Sequence, residues 1–210
     1  RAIAAVDYAK FVTETGVILI AAPLSMVGLS TLSGLDSDLV RQKVGKIANI
    51  VLIFTIPISL FVACNNVDIV HILYARGAFD QKSVDVTAKI LLGFSMGVWA
   101  HILSYYFIRI LNAQLRNTQV MHYISISVLI DIGIKLTFYK SLGPMTLGLA
   151  NSAYSIILFF LTVRALKIFE ALKPTLSWLG LGLGLNVIIY ILITPYVNNF
   201  SSTTRLICLS

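Results

Sequence analysis

About six apolar stretches, each near the length of a bilayer crossing, run through this 210-residue chain, and few charges interrupt them. A helix needs ~20 apolar residues to cross hydrocarbon. Hydrophobic residues make up 58% of the chain and charged residues 12%, about half the charged fraction of a soluble domain. Polar side chains are too few to coat a water-soluble globule, so lipid is the solvent for most of the chain. The runs show no period-two alternation and are too long for barrel strands. Stretches such as Ile156-Ile-Leu-Phe-Phe-Leu161 are apolar on every face, as a lipid-embedded helix is. The predicted fold class is all-α: a polytopic membrane helix bundle with about six transmembrane helices.

The expected spans cover residues 7–32, 47–64, 81–113, 119–139, 145–165 and 176–193. Pro23 and Pro57 fall inside the first two. An amphipathic link, 34–46, joins them, and a short apolar patch, 65–79, follows the second. Asp80 is expected to cap the third helix, because its carboxylate can accept first-turn N–H groups. That helix is longer than one bilayer thickness, so its first turns should project into the interface. Residues 114–118 form a tight polar loop, and Pro144 is placed for a first helical position. The expected division is 1–173, a bundle of about five spans, and 174–210, an additional C-terminal span and the start of a further one. The chain opens at Arg1 without methionine, no signal-peptide pattern precedes the first span, and Arg205–Ser210 looks like the first turn of another span. A piece of a longer protein is expected.

The formal charge of +7 fits positive-inside loop bias and also fits a basic cavity for an anionic, phosphate-bearing substrate. Arg41, Lys43, Lys46, Arg109, Arg116, Arg164, Lys167 and Lys173 fall on one side of the expected topology. Arg76, Lys82, Lys140 and, at the margin, Lys89 fall on the other. The larger set places the links after the first, third and fifth spans in the cytoplasm. The first span then runs inward, which implies an odd number of spans upstream if the N-terminus is cytoplasmic. Cys64 and Cys208 make neither a zinc pattern nor a disulfide framework.

Ionisable groups within spans are costly and face a partner or a water-filled cavity. Lys10 and Glu14 are four residues apart, with Asp7 about a turn earlier. They read either as an interfacial ion pair or as a cavity site in which Lys10 meets a substrate phosphate as a point charge. Asp131 and Lys135 repeat the spacing deep in the fourth span, as a structural pair or a cation or proton coupling site. His101, midway along the third, reads as an interhelical hydrogen-bonder or a proton relay. Gly180-x-Gly182-x-Gly184 is no nucleotide loop, since no strand precedes it; Gly180 and Gly184 form a face for close helix packing. No catalytic constellation, metal-ligand cluster or cofactor motif is present in the sequence. The cations are not interleaved with aromatics on one patch, so nucleic acid is not an expected partner.

Between Ile69 and Val120 an apolar run ends in Leu73-Tyr-Ala-Arg-Gly-Ala-Phe-Asp80, and a long helix closes with Phe107-Ile-Arg-Ile-Leu-Asn-Ala-Gln-Leu-Arg-Asn-Thr118. This resembles the MurJ/MviN family of lipid II flippases, within the superfamily of multidrug/oligosaccharidyl-lipid/polysaccharide exporters. Arg76, Gly77 and Phe79 match the family's outer Arg-Gly-x-Phe loop, and Arg116 and Thr118 match part of its cytoplasmic loop. Asp7-Tyr-Ala9 and Thr15-Gly-Val17 look like the eighth span. Gln119-Val120 stands where the family's proline is expected, and Lys10 is the nearest cation to the eighth-span arginine. The resemblance implies most of one lobe of a two-lobe flippase that works by alternating access around a cationic cavity. Its implied partners are a polyprenyl-diphosphate-linked saccharide, membrane lipid and the missing N-terminal lobe, in the bacterial inner membrane, with no covalent chemistry. An O-antigen or capsule flippase, a drug/cation antiporter coupled through Asp131, and a non-transporting membrane scaffold are the other readings.

Overall fold

Every fourth side chain of the first helix is small or slender and turned into protein. Ala5, Ala9, Thr13, Val17 and Ala21 are all buried, and residues four apart stack into one ridge along a helix. In this computed structural model the described backbone covers residues 2–32, 37–74 and 79–180. The ridge belongs to α1 (Ala2–Leu32). After it come α2 (Ser37–Cys64), α3 (Asn66–Tyr74), α4 (Gln81–Ser95), α5 (Val98–Ala113), α6 (Asn117–Leu142) and α7 (Met145–Leu166). Helical backbone resumes over 169–180. Residues 1–172 form one compact unit and 173–210 a second. Of the second, 173–180 are described and helical, with the Ser177 hydroxyl donating to the Pro174 carbonyl at 2.8 Å.

The described elements are all helical. α2 from Asp38, α6 and α7 are each long and apolar enough to cross a membrane, and α4 with α5 passes the same test as one bent span. α1 is helical across the whole expected first span; most of the expected sixth lies outside the described residues. Large apolar side chains such as Phe11, Phe54, Met121, Leu129 and Leu136 point away from the protein. In water such a surface would aggregate; in hydrocarbon it costs nothing.

Several boundaries differ from the sequence reading. The described part of the 34–46 link, from Ser37 onward, is helical and continues unbroken into α2, since Asp38 and Arg41 pair at 3.4 Å one turn apart and nothing there breaks the helix. The long third helix is broken: α4 and α5 meet at Met96–Gly97 with a bend of 52°. Its start is as expected, because Asp80 accepts from the Ser83 backbone N–H at 2.9 Å and the Ser83 hydroxyl at 2.6 Å. Pro144 stands at the N-cap of α7, one position before the helix.

The cause of the bend lies on α7. In a straight helix the Gly97 N–H would reach Gly93; here it turns to the Phe94 carbonyl at 3.1 Å, a tighter three-residue closure. The Ser152 hydroxyl takes over, sharing its proton between the Gly93 carbonyl at 2.6 Å and the Phe94 carbonyl at 3.0 Å. There is no room for side chains at this crossing. A Cβ on Gly97 would lie 2.5 Å from the Ser152 Cα, and one on Gly93 would lie 2.7 Å from the Leu149 nitrogen. One on Gly148 would overlap the Ile90 carbonyl. Lipid tails are as apolar as leucine, so helices in a membrane associate by close packing and hydrogen bonds, and small residues permit both. Gly93 and Gly97 face Gly148 and Ser152, two pairs at a spacing of four.

α7 is the centre of the bundle and α6 its margin: 50% of the apolar stretch of α7 is buried in protein, against 11% for α6. Phe159 stacks on Trp99 and Phe107 of α5 at 5.1 and 5.9 Å. The Ser104 hydroxyl donates across to the Ser155 carbonyl at 3.2 Å. A second cluster joins α1, α3 and α4 through Ala5, Ala9, Val70, Val84, Ala88 and Leu91.

Candidate functional site

The ridge of α1 that packs on the bundle leaves the neighbouring face open, and Lys10 and Glu14 stand on it. Their ion pair is 3.1 Å, with the side chains 49% and 45% exposed. α1 packs against α5 as well as α4. On α5 the buried positions include Val98, Ile102, Leu103, Tyr106 and Ile110. Between them, His101 and Tyr105 are half-buried and Arg109 is exposed, at intervals of four on one stripe. His101 is within electrostatic reach of both Glu14 and Lys10. One helical turn further, Arg109 Nη2 donates to the Tyr105 hydroxyl at 2.7 Å, and its guanidinium lies 5.1 Å from the centre of that ring.

Lys10, Glu14 and His101 are therefore within electrostatic reach of one another across the α1–α5 packing, and the stripe carries Tyr105 and Arg109 beyond them. The last two are absent from the candidates read from sequence, where Arg109 counts as a loop charge. The spacing 101, 105, 109 is the signal that reveals them, because residues four apart share a helix face. Such a surface holds two cations, a carboxylate, an imidazole and a phenol beside a largely apolar core. Hydrogen-bond donors and positive charge on an open face suit an anionic, hydroxyl-bearing ligand.

Asp131 and Lys135 belong elsewhere. They pair at 2.6 Å on α6, which packs on α7 and, more sparsely, on α5. Asp131 is 16% exposed; one of its oxygens is held by Lys135 and the other, Oδ1, is buried without a hydrogen-bond partner. Tyr154 of α7 is within electrostatic reach. Pairing lowers the cost of two intramembrane charges.

The loop residues divide. Arg76 and Gly77 lie outside the described residues. Phe79 joins Tyr8 and Tyr74 in an aromatic cluster, with ring centres 5.3 and 6.0 Å away, and the Tyr74 hydroxyl donates to the Tyr8 carbonyl at 3.2 Å. Arg116 is a staple: it donates to Gln119 Oε1 at 2.8 Å and to the Ala165 carbonyl, in the last turn of α7, at 3.1 Å. Thr118 is exposed, and its carbonyl is 2.7 Å from His122 Nδ1. Gly184, the partner of Gly180 in the expected packing face, is outside the described residues.

The staple also fixes which links are neighbours. Arg116 ties the α5–α6 link to the end of α7, and Asn49 Nδ2 donates to the Ala171 carbonyl at 2.9 Å. A Cβ on Gly45 would meet that of Ala171 at 3.0 Å. The basic beginning of α2, the Arg116 turn and the Lys167 turn thus share one end of the bundle. Among the described residues no group of three or more histidine, cysteine, aspartate or glutamate side chains is placed to hold a metal ion.

Residues 1–206 match the family described as lipid II flippase MurJ. Two curated relatives, each described as a probable lipid II flippase MurJ, come from Helicobacter pylori. The protein of strain J99 is 28% identical over 115 residues, and that of strain 26695 is 30% identical over 118 residues. Each comparison covers 53% of this chain and 25% of the relative, so the matched part spans about a quarter of those proteins. A solved structure described as lipid II flippase MurJ in an inward closed conformation superposes with a TM-score of 0.74 at 25% identity, over 85% of this chain and 39% of that one.

Proposed function

Because this chain belongs to the MurJ lipid II flippase family, we propose that it forms most of the second lobe of a flippase that carries a polyprenyl-diphosphate-linked saccharide, a lipid II-like peptidoglycan precursor, across the bacterial inner membrane. The observation that carries this reading is the polar group of Lys10, Glu14, His101, Tyr105 and Arg109 on the neighbouring faces of α1 and α5. Burying a diphosphate in hydrocarbon costs many kcal/mol. A hydrated face with Lys10 and Arg109 offsets that cost for the headgroup while the polyprenyl tail stays in lipid. The first lobe of the full-length protein supplies the opposite wall.

Alternating access rocks one lobe against the other, and a joint within a helix can absorb part of that motion. The α4–α5 joint is suited to this, because the Ser152 hydroxyl serves the Gly93 and Phe94 carbonyls where the helix ladder is broken. The basic end of the bundle faces the cytoplasm, on the excess of lysine and arginine in its links. The reading involves no bond making or breaking.

The test is depletion of the chromosomal protein, complemented by full-length variants, with the leaflet distribution of lipid-linked saccharides as readout. The wild type should prevent accumulation on the cytoplasmic leaflet. Lys10→Glu and Arg109→Glu should each fail to prevent it, and Asp131→Asn should prevent it. Unchanged saccharide distribution on depletion overturns the flippase reading. Full rescue by both charge reversals removes the polar stripe from the mechanism.

A further inference from the structure

A cavity of about 470 Å³ opens beside the elbow between α7 and the helix that resumes at 169, lined by Phe160, Arg164, Lys167, Phe169 and Glu170. Nothing in the transport reading uses it. The elbow turns on Lys167, whose φ of 55° is left-handed. A helix end of this kind favours glycine, because a Cβ is strained there. The position carries lysine, whose side chain reaches the cavity.

Basic residues at a helix C-terminus ordinarily serve its own carbonyls. Here three of the last four are already engaged by other groups. Ile168 N–H donates to Val163, Lys167 N–H donates to Arg164, and Arg116 donates to Ala165. The Arg164 guanidinium and the Lys167 ammonium have no hydrogen bond or ion pair to any described residue, although Glu170 lines the same cavity. Phe160 and Phe169, each 45% exposed, supply its apolar wall. Two uncommitted cations above two aromatic rings, at the end of a membrane-crossing helix, match an amphiphile with an anionic head and an apolar tail. Basic pockets at this depth take anionic headgroups, with each lysine or arginine contributing about a fivefold preference.

We propose that this elbow binds an anionic phospholipid of the surrounding bilayer, its phosphate against Arg164 and Lys167 and the upper part of its acyl chains against Phe160 and Phe169. The inference holds whatever the protein transports, because lipid binding is read without a transport assay.

The experiment is native mass spectrometry of the full-length protein in detergent, titrated with phosphatidylglycerol, phosphatidylcholine or inorganic phosphate. Phosphatidylglycerol should be retained about 25-fold more than phosphatidylcholine, about fivefold for each of the two cations. The double variant Arg164→Gln/Lys167→Gln should abolish that preference, with about a fivefold loss for each cation. Glu170→Gln, which removes the one carboxylate that lines the cavity, should increase retention. Equal retention of the two lipids overturns the proposal, as does a Glu170→Gln protein that retains no more than wild type. Full displacement of phosphatidylglycerol by millimolar phosphate also overturns it, in favour of a free-anion site.

Discussion

Single atoms decide the most consequential feature of this bundle. The Ser152 hydroxyl replaces a missing helix bond at Gly93, and Ser152→Ala should lower stability by about 1 kcal/mol, within the range for interhelical hydrogen bonds in membranes. Gly148→Leu should be worse, by about 2 kcal/mol or more, because overpacking forces the backbone apart where a Cβ alone already meets Ile90. Thermal unfolding of the full-length protein in detergent ranks the two; a Gly148→Leu protein as stable as wild type removes the close crossing. Both pairs of small residues, 93/97 and 148/152, were visible in sequence as a repeat of four. The sequence reading names Gly180 and Gly184, which sit in an obvious glycine run and of which Gly184 lies outside the described residues. Spacing alone does not say which small residue meets a neighbour. The candidate site followed the same pattern: Lys10 and Glu14 were legible as an i, i+4 pair, whereas Tyr105 and Arg109 become members of the site only once α5 lies beside α1.

Helices are where local and tertiary forces compete most openly. Pro57 lies inside α2, and it and Ile53, whose carbonyl loses the helix bond, are both exposed, so the defect faces away from the protein. The sharp bend occurs instead at Met96–Gly97, where no proline stands. Kinks of this size need a cause such as a glycine or an inserted side chain, and here both act. The hydrophobic pattern of 81–113 is continuous because both halves bury apolar residues, so the break left no trace in periodicity. Arg116 exemplifies the opposite case, a loop residue that sets helix packing. Arg116→Gln should free the Ala165 carbonyl and loosen the last turn of α7. Amide hydrogen exchange over 164–168 should rise by about fivefold, for a loss of about 1 kcal/mol; unchanged exchange there would show that the staple carries no energy.

At the scale of the whole molecule, three basic links gathered at one end make a bundle with a cationic pole, as Arg116 and Asn49 demonstrate. Single cysteines at positions 43, 116 and 167 of the full-length protein should react with an impermeant maleimide only from the cytoplasm. Labelling from the outside alone would invert the topology. The amino-acid sequence by itself determined that the chain is helical and lipid-embedded, because the length and polarity of a segment decide whether its backbone can shed water. It also set the capped start at Asp80, since capping involves residues three apart. Only the tertiary structure decided the bend at Gly97, the placing of His101 within electrostatic reach of Lys10 and Glu14, and the separate place of Asp131. Each of these depends on which face of one helix is pressed against another, and that is settled by contacts between residues far apart in the chain, to which local periodicity is blind.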